Sequence, residues 1–223
     1  MPSRTADLPG VASTSLEPTS VDFYARGVLE VAPDLVGCIV DHAGCSGVIV
    51  ETEAYHQEEP ACHAYAGLTP RTSTLFGPPA VAYVYRSYGI HALLNAVCEP
   101  QGVGAAVLIR ALRPLEGADR MRVRRGKAMA DRELCSGPGR LTQALGIELG
   151  ENGTSLLTGP VRILPRLGPP PEIVAGPRIG ITKAVDLAWR FAAVGDVNVS
   201  RPWPWRAARL ARRPAAAARR RRR

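Results

Sequence analysis

Val48-Ile49-Val50-Glu51-Thr52-Glu53-Ala54-Tyr55 is the stretch on which the reading of this chain turns. It is β-branched and apolar as far as Val50, then carries two carboxylates and a tyrosine. In a strand, successive side chains alternate between faces, so Ile49, Glu51, Glu53 and Tyr55 are expected on one side and Val48, Val50, Thr52 and Ala54 on the other. The second set suits a core; the first does not. Two acids and a ring on a stiff strand are suited to an active site, because catalytic groups are best held by rigid elements. A half-exposed strand with a solvated acidic face is the alternative that the octapeptide leaves open.

Upstream, Leu35 to Val40 is strand-like, and the turn-like Asp41 to Ser46 joins it to residues 47–55 as a hairpin. Ser20 is placed to cap a helix from Val21, with Phe23, Tyr24 and Val28 as its apolar stripe until Pro33 interrupts it. Downstream, residues 56–80 form a long polar segment holding His63, Thr69-Pro70-Arg71 and Phe76-Gly77-Pro78-Pro79, and a loop of that length is usually functional. Val81 to Asn95 supplies two β-prone runs around Tyr88-Gly89, and Ala105 to Ala111 a third. Tyr83 and Tyr85 share a face. Tyr88 sits at the hairpin tip, where small polar residues are favoured, so the ring either inserts into something or folds back onto its own sheet. Residues 113–132 are basic. Cys135-Ser136-Gly137-Pro138-Gly139-Arg140-Leu141 opens a further helix whose first N–H groups could seat a phosphate beside Arg140, although the same glycines also serve helix-start geometry. Arg178 to Thr182 and Ala188 to Val194 read as closing strands.

The 223 residues suffice for one substantial core. No apolar stretch approaches the roughly 20 residues of a membrane span. Met1 to Glu17 has no apolar block behind a basic start, so it reads as a flexible lead-in and not as a secretory signal. Five cysteines without a Cys-x-x-Cys pair, and four histidines of which only His63 adjoins a cysteine, indicate a reduced intracellular chain with no structural metal. The net charge is +8, but residues 206–223 hold nine arginines and no acid, so the remainder sums to 8 − 9 = −1. Basicity is therefore a property of the Arg/Ala tail, which is expected to be disordered and to act either as a nucleic-acid tether or as a solubilising extension. The expected organisation is a flexible segment over 1–19, a folded domain over 20–205 and the basic tail over 206–223.

Taken in order, Val50 to Tyr55, His63, Thr69-Pro70-Arg71, Tyr83-Val84-Tyr85, Tyr88-Gly89, Asn95, Leu108-Ile109-Arg110-Ala111 and Leu134 to Pro138 resemble the alkyladenine DNA glycosylase family. These are the 3-methyladenine, or N-methylpurine, DNA glycosylases that remove alkylated and deaminated purines. The likeness runs from about Ala25 to Val199. It implies an α+β fold, a single mixed domain with a curved, largely antiparallel sheet, flanking helices and a protruding DNA-intercalating β-hairpin. It also implies that Glu53 activates the water, Tyr55 stacks on the extruded base, His63 contacts base and nucleotide, and Tyr85 closes the other side of the pocket. Tyr88 would enter the DNA minor groove and Asn95 would screen the purine's exocyclic group. Arg110 matches the arginine of the family's Leu-Ile-Arg-Ala strand and, with Arg71, Gly137 and Arg140, is expected to serve DNA binding. Thr72, Leu75 and the compact loop carrying Glu59-Pro60 depart from the family pattern.

The implied partner is double-stranded DNA containing a damaged purine, bound by a monomer in the cytoplasm, at the nucleoid if the source is bacterial, with no cofactor, metal or membrane. Lys127 and Lys183 fall outside the pocket motifs, so a Schiff-base lyase is not expected and the product is an abasic site. A non-catalytic basic DNA-binding protein governed by its tail is the competing reading. A carbohydrate hydrolase using Glu51 and Glu53 as paired acids is disfavoured, because side chains two apart on a strand run parallel, with Cβ atoms about 7 Å apart, and do not flank a sugar.

Overall fold

The computed structural model describes residues 20–126 and 129–203. The expected lead-in over 1–19 and the Arg/Ala tail over 206–223 lie outside the described residues, as does Lys127.

Two short helices, α1 (Val21–Tyr24) and α2 (Val28–Asp34), take the place of the single expected one. Gly27 is extended, with ψ at 136°, and restarts the helix. Pro33 is accommodated near the end of α2, and the Ser20 side chain makes no cap hydrogen bond. Next, β1 (Ile39–His42) turns at Ala43-Gly44 into the long β2 (Cys45–His56). After the 57–81 loop come β3 (Ala82–Ser87), β4 (His91–Val97) and β5 (Ala105–Glu116). The basic segment forms α3 (Ala118–Arg125) and α4 (Asp131–Leu134), and the glycine-rich motif starts α5 (Pro138–Leu145). Three short strands close the chain, β6 (Arg162–Leu164), β7 (Ile173–Gly176) and β8 (Arg190–Ala193).

The strands form one curled antiparallel sheet in the order β3-β4-β5-β2-β1-β6, with β8 pairing β2 and β7. With α1 to α5 beside it, this is the expected α+β class. The acidic stretch of β2 is interior to the sheet, since Glu51 and Glu53 have β5 on one side and β8 on the other.

Strict alternation along β2 does not hold. Register against β5 shifts between Ile49 and Thr52, a bulge around Val50-Glu51. An extra residue on one strand resets which face each later side chain takes. Ile49 therefore joins Ala54 in the main core with Tyr24, Val28 and Val31, instead of sharing the face of the two acids. The Thr52 hydroxyl donates to the Ala32 carbonyl of α2 at 2.8 Å. Val50 packs separately, with Val36, Ala111, Ala192 and Val199.

Residues 178–182 are irregular, not a strand, and the closing pair is instead β7 with β8. Pro177 cannot donate to a ladder and Gly180 has φ +76°, so the stretch resists pairing at its start and in its middle. All five cysteines are free and buried. Among the described residues, no helix is long and apolar enough to cross a membrane.

Candidate active site

A cavity of about 580 Å³ opens between the β2–β5 region, the β3–β4 hairpin, the 57–81 loop, the start of α5 and residues 179–181. Tyr55, His63, Arg71, Tyr85, Tyr88, Asn95, Arg110, Gly137 and Arg140 all contribute to its wall. Every sequence-predicted site residue except Glu53 thus borders one space. Glu53 lies directly behind that wall. Its Oε2 accepts from the Tyr55 hydroxyl at 2.9 Å, its Oε1 accepts from the Ile179 N–H at 2.8 Å, and Arg110 Nη1 stands 3.4 Å from Oε1. All three neighbours line the cavity.

Both acids of β2 are wholly buried, which excludes the solvated acidic face. Their surroundings differ. Glu51 is held by Arg190 Nε at 2.5 Å, by the Ser200 N–H at 2.7 Å, by the Ser200 hydroxyl at 2.9 Å and by Arg110 Nε at 3.2 Å. Arg190 spends its other nitrogens on the carbonyls of Pro202 and Ser200. A carboxylate with four donors around it is saturated and structural. Glu53 keeps acceptor capacity on Oε2, which takes one hydrogen bond from the protein. Two carboxylates and two guanidiniums balance the charge of this cluster. Burial raises the Glu53 pKa above the ordinary carboxylate value, Arg110, the Ile179 N–H and the Tyr55 hydroxyl oppose that rise, and Glu51 adds to it.

The aromatic walls come from two elements. Tyr55 ends the acidic stretch of β2; Tyr83 and Tyr85 alternate with Val84 on β3 and stack on each other at 5.3 Å between centroids. His63 meets the Tyr85 ring edge-on at 4.6 Å and lies 3.2 Å from the Tyr83 hydroxyl through Nδ1. Burial, and then the Arg71 charge, lower the His63 pKa, which favours the neutral imidazole. Burial pushes the Tyr85 phenol up to about 12. Asn95 is fixed by its amide nitrogen, which donates to the carbonyls of Tyr83 at 3.0 Å and Leu93 at 3.4 Å.

At the hairpin tip, the turn is closed by the Ile90 N–H donating to the Ser87 carbonyl at 3.1 Å, with Tyr88 at φ +48° and Gly89 at φ +70°. Both central residues occupy the left-handed region that primed hairpin turns require. Gly89 meets this freely, whereas a tyrosine there costs about 1–2 kcal/mol. Tyr88 is 90 % exposed and Ile90 is 74 % exposed, so the ring does not fold back onto its sheet. At the opposite rim, Gly137 has φ +130°, and a Cβ on Gly139 would lie 2.8 Å from His91 Cβ. The two glycines thus let α5 start against β4.

Sequence reasoning missed Ile179, Arg178, Glu59, Arg190 and Ser200. Arg178 is buried, pairs with Glu59 through two hydrogen bonds at 2.7 and 2.9 Å, and packs over the Tyr55 ring. The signal available was faint: a lone arginine within Gly176-Pro177-Arg178-Ile179-Gly180, and an acid where the family loop is altered. Among the described residues, no group of three or more His, Cys, Asp or Glu side chains is arranged to hold a metal ion.

The sequence profile of the methylpurine-DNA glycosylase family matches residues 22–197. A protein of Rhodopseudomonas palustris is 56 % identical over 82 % of this chain and 87 % of its own length. One of Nitrobacter winogradskyi is 51 % identical over 84 % of this chain and 89 % of its own, and one of Rubrobacter xylanophilus is 54 % identical over 73 % and 87 %. The names of all three place them among 3-methyladenine DNA glycosylases.

Proposed function

Because the chain belongs to the methylpurine-DNA glycosylase family and is therefore a DNA repair glycosylase of alkylated purines, we propose that it extrudes the damaged nucleotide from double-stranded DNA and hydrolyses its N-glycosidic bond with Glu53 as the base. The reading rests on one observation: a buried carboxylate that retains acceptor capacity stands immediately behind an aromatic-walled cavity. The glycosidic bond breaks through a sugar cation. Glu53 would stabilise that charge at C1′ and take the proton of the incoming water on Oε2, while Arg110 and the Ile179 N–H hold Oε1. General-base assistance contributes about 100- to 10,000-fold, and charge preorganised in a dry site adds to it. Glu53 has no exposed surface in the free protein, so the water would be admitted as the nucleotide enters.

Extrusion costs a few kcal/mol. Stacking of the base between Tyr55 and Tyr85, at roughly 1–3 kcal/mol per ring, and filling of the vacated stack by Tyr88 would offset it. The exposure and backbone strain of Tyr88 support the wedge role, since strain of that kind is retained where it serves function. Arg71, Arg140 and the Gly137 region would face the DNA backbone. Neutral His63 would contact the base without repelling a cationic lesion. Asn95 would clash with the amino group of normal guanine. The substrate set proposed is 3-methyladenine first, with 7-methylguanine, hypoxanthine and ethenoadenine in the same pocket. The product would be an abasic site, released by a monomer whose glycosylase domain spans 20–205, acting at the nucleoid if the source is bacterial.

Glu53→Gln tests the assignment. Single-turnover release of 3-methyladenine from a duplex should fall at least about a hundredfold, while affinity for the duplex stays unchanged. Retained release would overturn it. A panel of the four lesions ranks the substrates.

A further inference from the structure

The catalytic end of β2 is gripped by residues 178 and 179, of which Ile179 borders the cavity and Arg178 does not. Arg178 Nη1 donates to the Ala54 carbonyl at 2.9 Å and to Glu59 Oε1 at 2.7 Å, and Nη2 donates to Glu59 Oε2 at 2.9 Å. Its guanidinium carbon lies 4.6 Å from the centroid of Tyr55 and 5.3 Å from that of Trp189. The next residue, Ile179, gives its N–H to Glu53 Oε1. Three consecutive residues of β2 are therefore held by two consecutive residues of an irregular segment: the carboxylate of Glu53, the carbonyl of Ala54 and the ring of Tyr55.

An irregular segment has no ladder to fix its own position. What fixes this one is the bidentate pair with Glu59, a residue of the 57–81 loop whose carboxylate also accepts from the Ala61 N–H at 2.8 Å. We propose that the Arg178–Glu59 pair is a positioning device for the reaction, setting at once the orientation of the Glu53 carboxylate and the plane of the Tyr55 platform. This rests on Glu53 being the base and Tyr55 the platform.

A fork is required for the task. One guanidinium meets a carboxylate with two parallel bonds, turns the second N–H of Nη1 to a carbonyl, and lies over a ring, whereas a lysine ammonium supplies a point charge only. Losing the fork would let the 178–180 segment drift, weakening the Ile179 N–H bond to Glu53. That bond works against the rise in the Glu53 pKa, so its loss moves the pKa further up.

The experiment compares Arg178→Lys and Glu59→Gln with the unaltered protein and with Glu53→Gln, using single-turnover release of 3-methyladenine, duplex affinity, and the pH dependence of release. Displacement of a reacting group by about 1 Å costs up to roughly a hundredfold. Both variants should therefore release base between about ten- and a hundredfold more slowly at unchanged duplex affinity, and the acid limb of the pH profile should move to higher pH. A role confined to folding would lower the melting temperature and leave the rate per folded molecule and the acid limb where they were. A folded variant with unaltered rate and acid limb overturns the proposal, and so does failure of both variants to fold. If Glu53→Gln is inactive and the two variants are not impaired, only the positioning role falls; if Glu53→Gln is itself active, the reading of the site falls with it.

Discussion

The acidic end of β2 and the tip of the β3–β4 hairpin border the same cavity under opposite constraints. Glu51 and Glu53 are wholly buried, and each is tied to partners far away in sequence; Tyr88 is 90 % exposed and sits on a turn closed by its own neighbours, Ser87 and Ile90. The strand is expensive to build and indifferent to what lies outside, whereas the tip contributes little to the fold and is shaped for an external surface. A substitution in the first region should be felt in stability, and one in the second only when DNA is present.

The largest effect expected from this contrast is that of Glu51→Ala. It leaves Arg190 buried beside Arg110 with no carboxylate between them, and removing one partner of a buried pair costs about 3–5 kcal/mol. Urea unfolding measures this; a loss below about 1 kcal/mol would mean that the cluster is not cooperative. Next is Tyr88→Ala. Affinity for a lesion duplex should weaken by about 1–3 kcal/mol, while the unfolding midpoint changes little or rises as the left-handed strain is relieved. A fall in stability that matches the fall in affinity would erase the distinction between the two regions.

The smallest effect is one of pH. Burial raises the Glu53 pKa, so the folded chain holds that proton more tightly than the unfolded chain does. The corresponding stabilisation is complete below the unfolded carboxylate value and is lost as pH rises through the raised folded value. Glu53→Gln has no such group, so its stability relative to the unaltered protein should improve on going from acid to neutral pH. Calorimetry at several pH values checks the sign. In the unaltered enzyme, release should decline on the acid side from a pH above the ordinary carboxylate range, because the base is useful only when deprotonated.

Much of this contrast was legible in the sequence. The strands within 47–55, 81–95, 105–111 and 188–194, the Tyr88-Gly89 turn and the helix start at Gly137 depend on local chemistry and are where they were expected, and the predicted pocket residues other than Glu53 border one cavity. The first strand begins only at Ile39, because Leu35 to Cys38 are taken up in the turns that end α2. Two kinds of feature were not legible. The bulge around Val50-Glu51 depends on how β5 pairs with β2, and an octapeptide read alone carries no information about its partner. The Glu51–Arg190 and Glu59–Arg178 pairs join residues 139 and 119 positions apart, and no spacing rule links them. The segment at 178–182 was misread for a related reason, since its apolar residues look strand-like while Pro177 and Gly180 keep it out of the sheet.

The burial of the five cysteines acquires a chemical meaning in this setting. Agents that methylate purines are electrophiles, and the thiolate is the most nucleophilic group a protein offers them. Burial pushes Cys62 up to about 11 and Cys135 up to about 12, and raises Cys38 and Cys98 as well. At those four positions the folded chain therefore presents little thiolate to the reagents that create its substrates. Iodoacetamide labelling followed by mass counting should be slow for the folded chain and fast in urea, so that a repair enzyme of this design survives alkylation for as long as it stays folded.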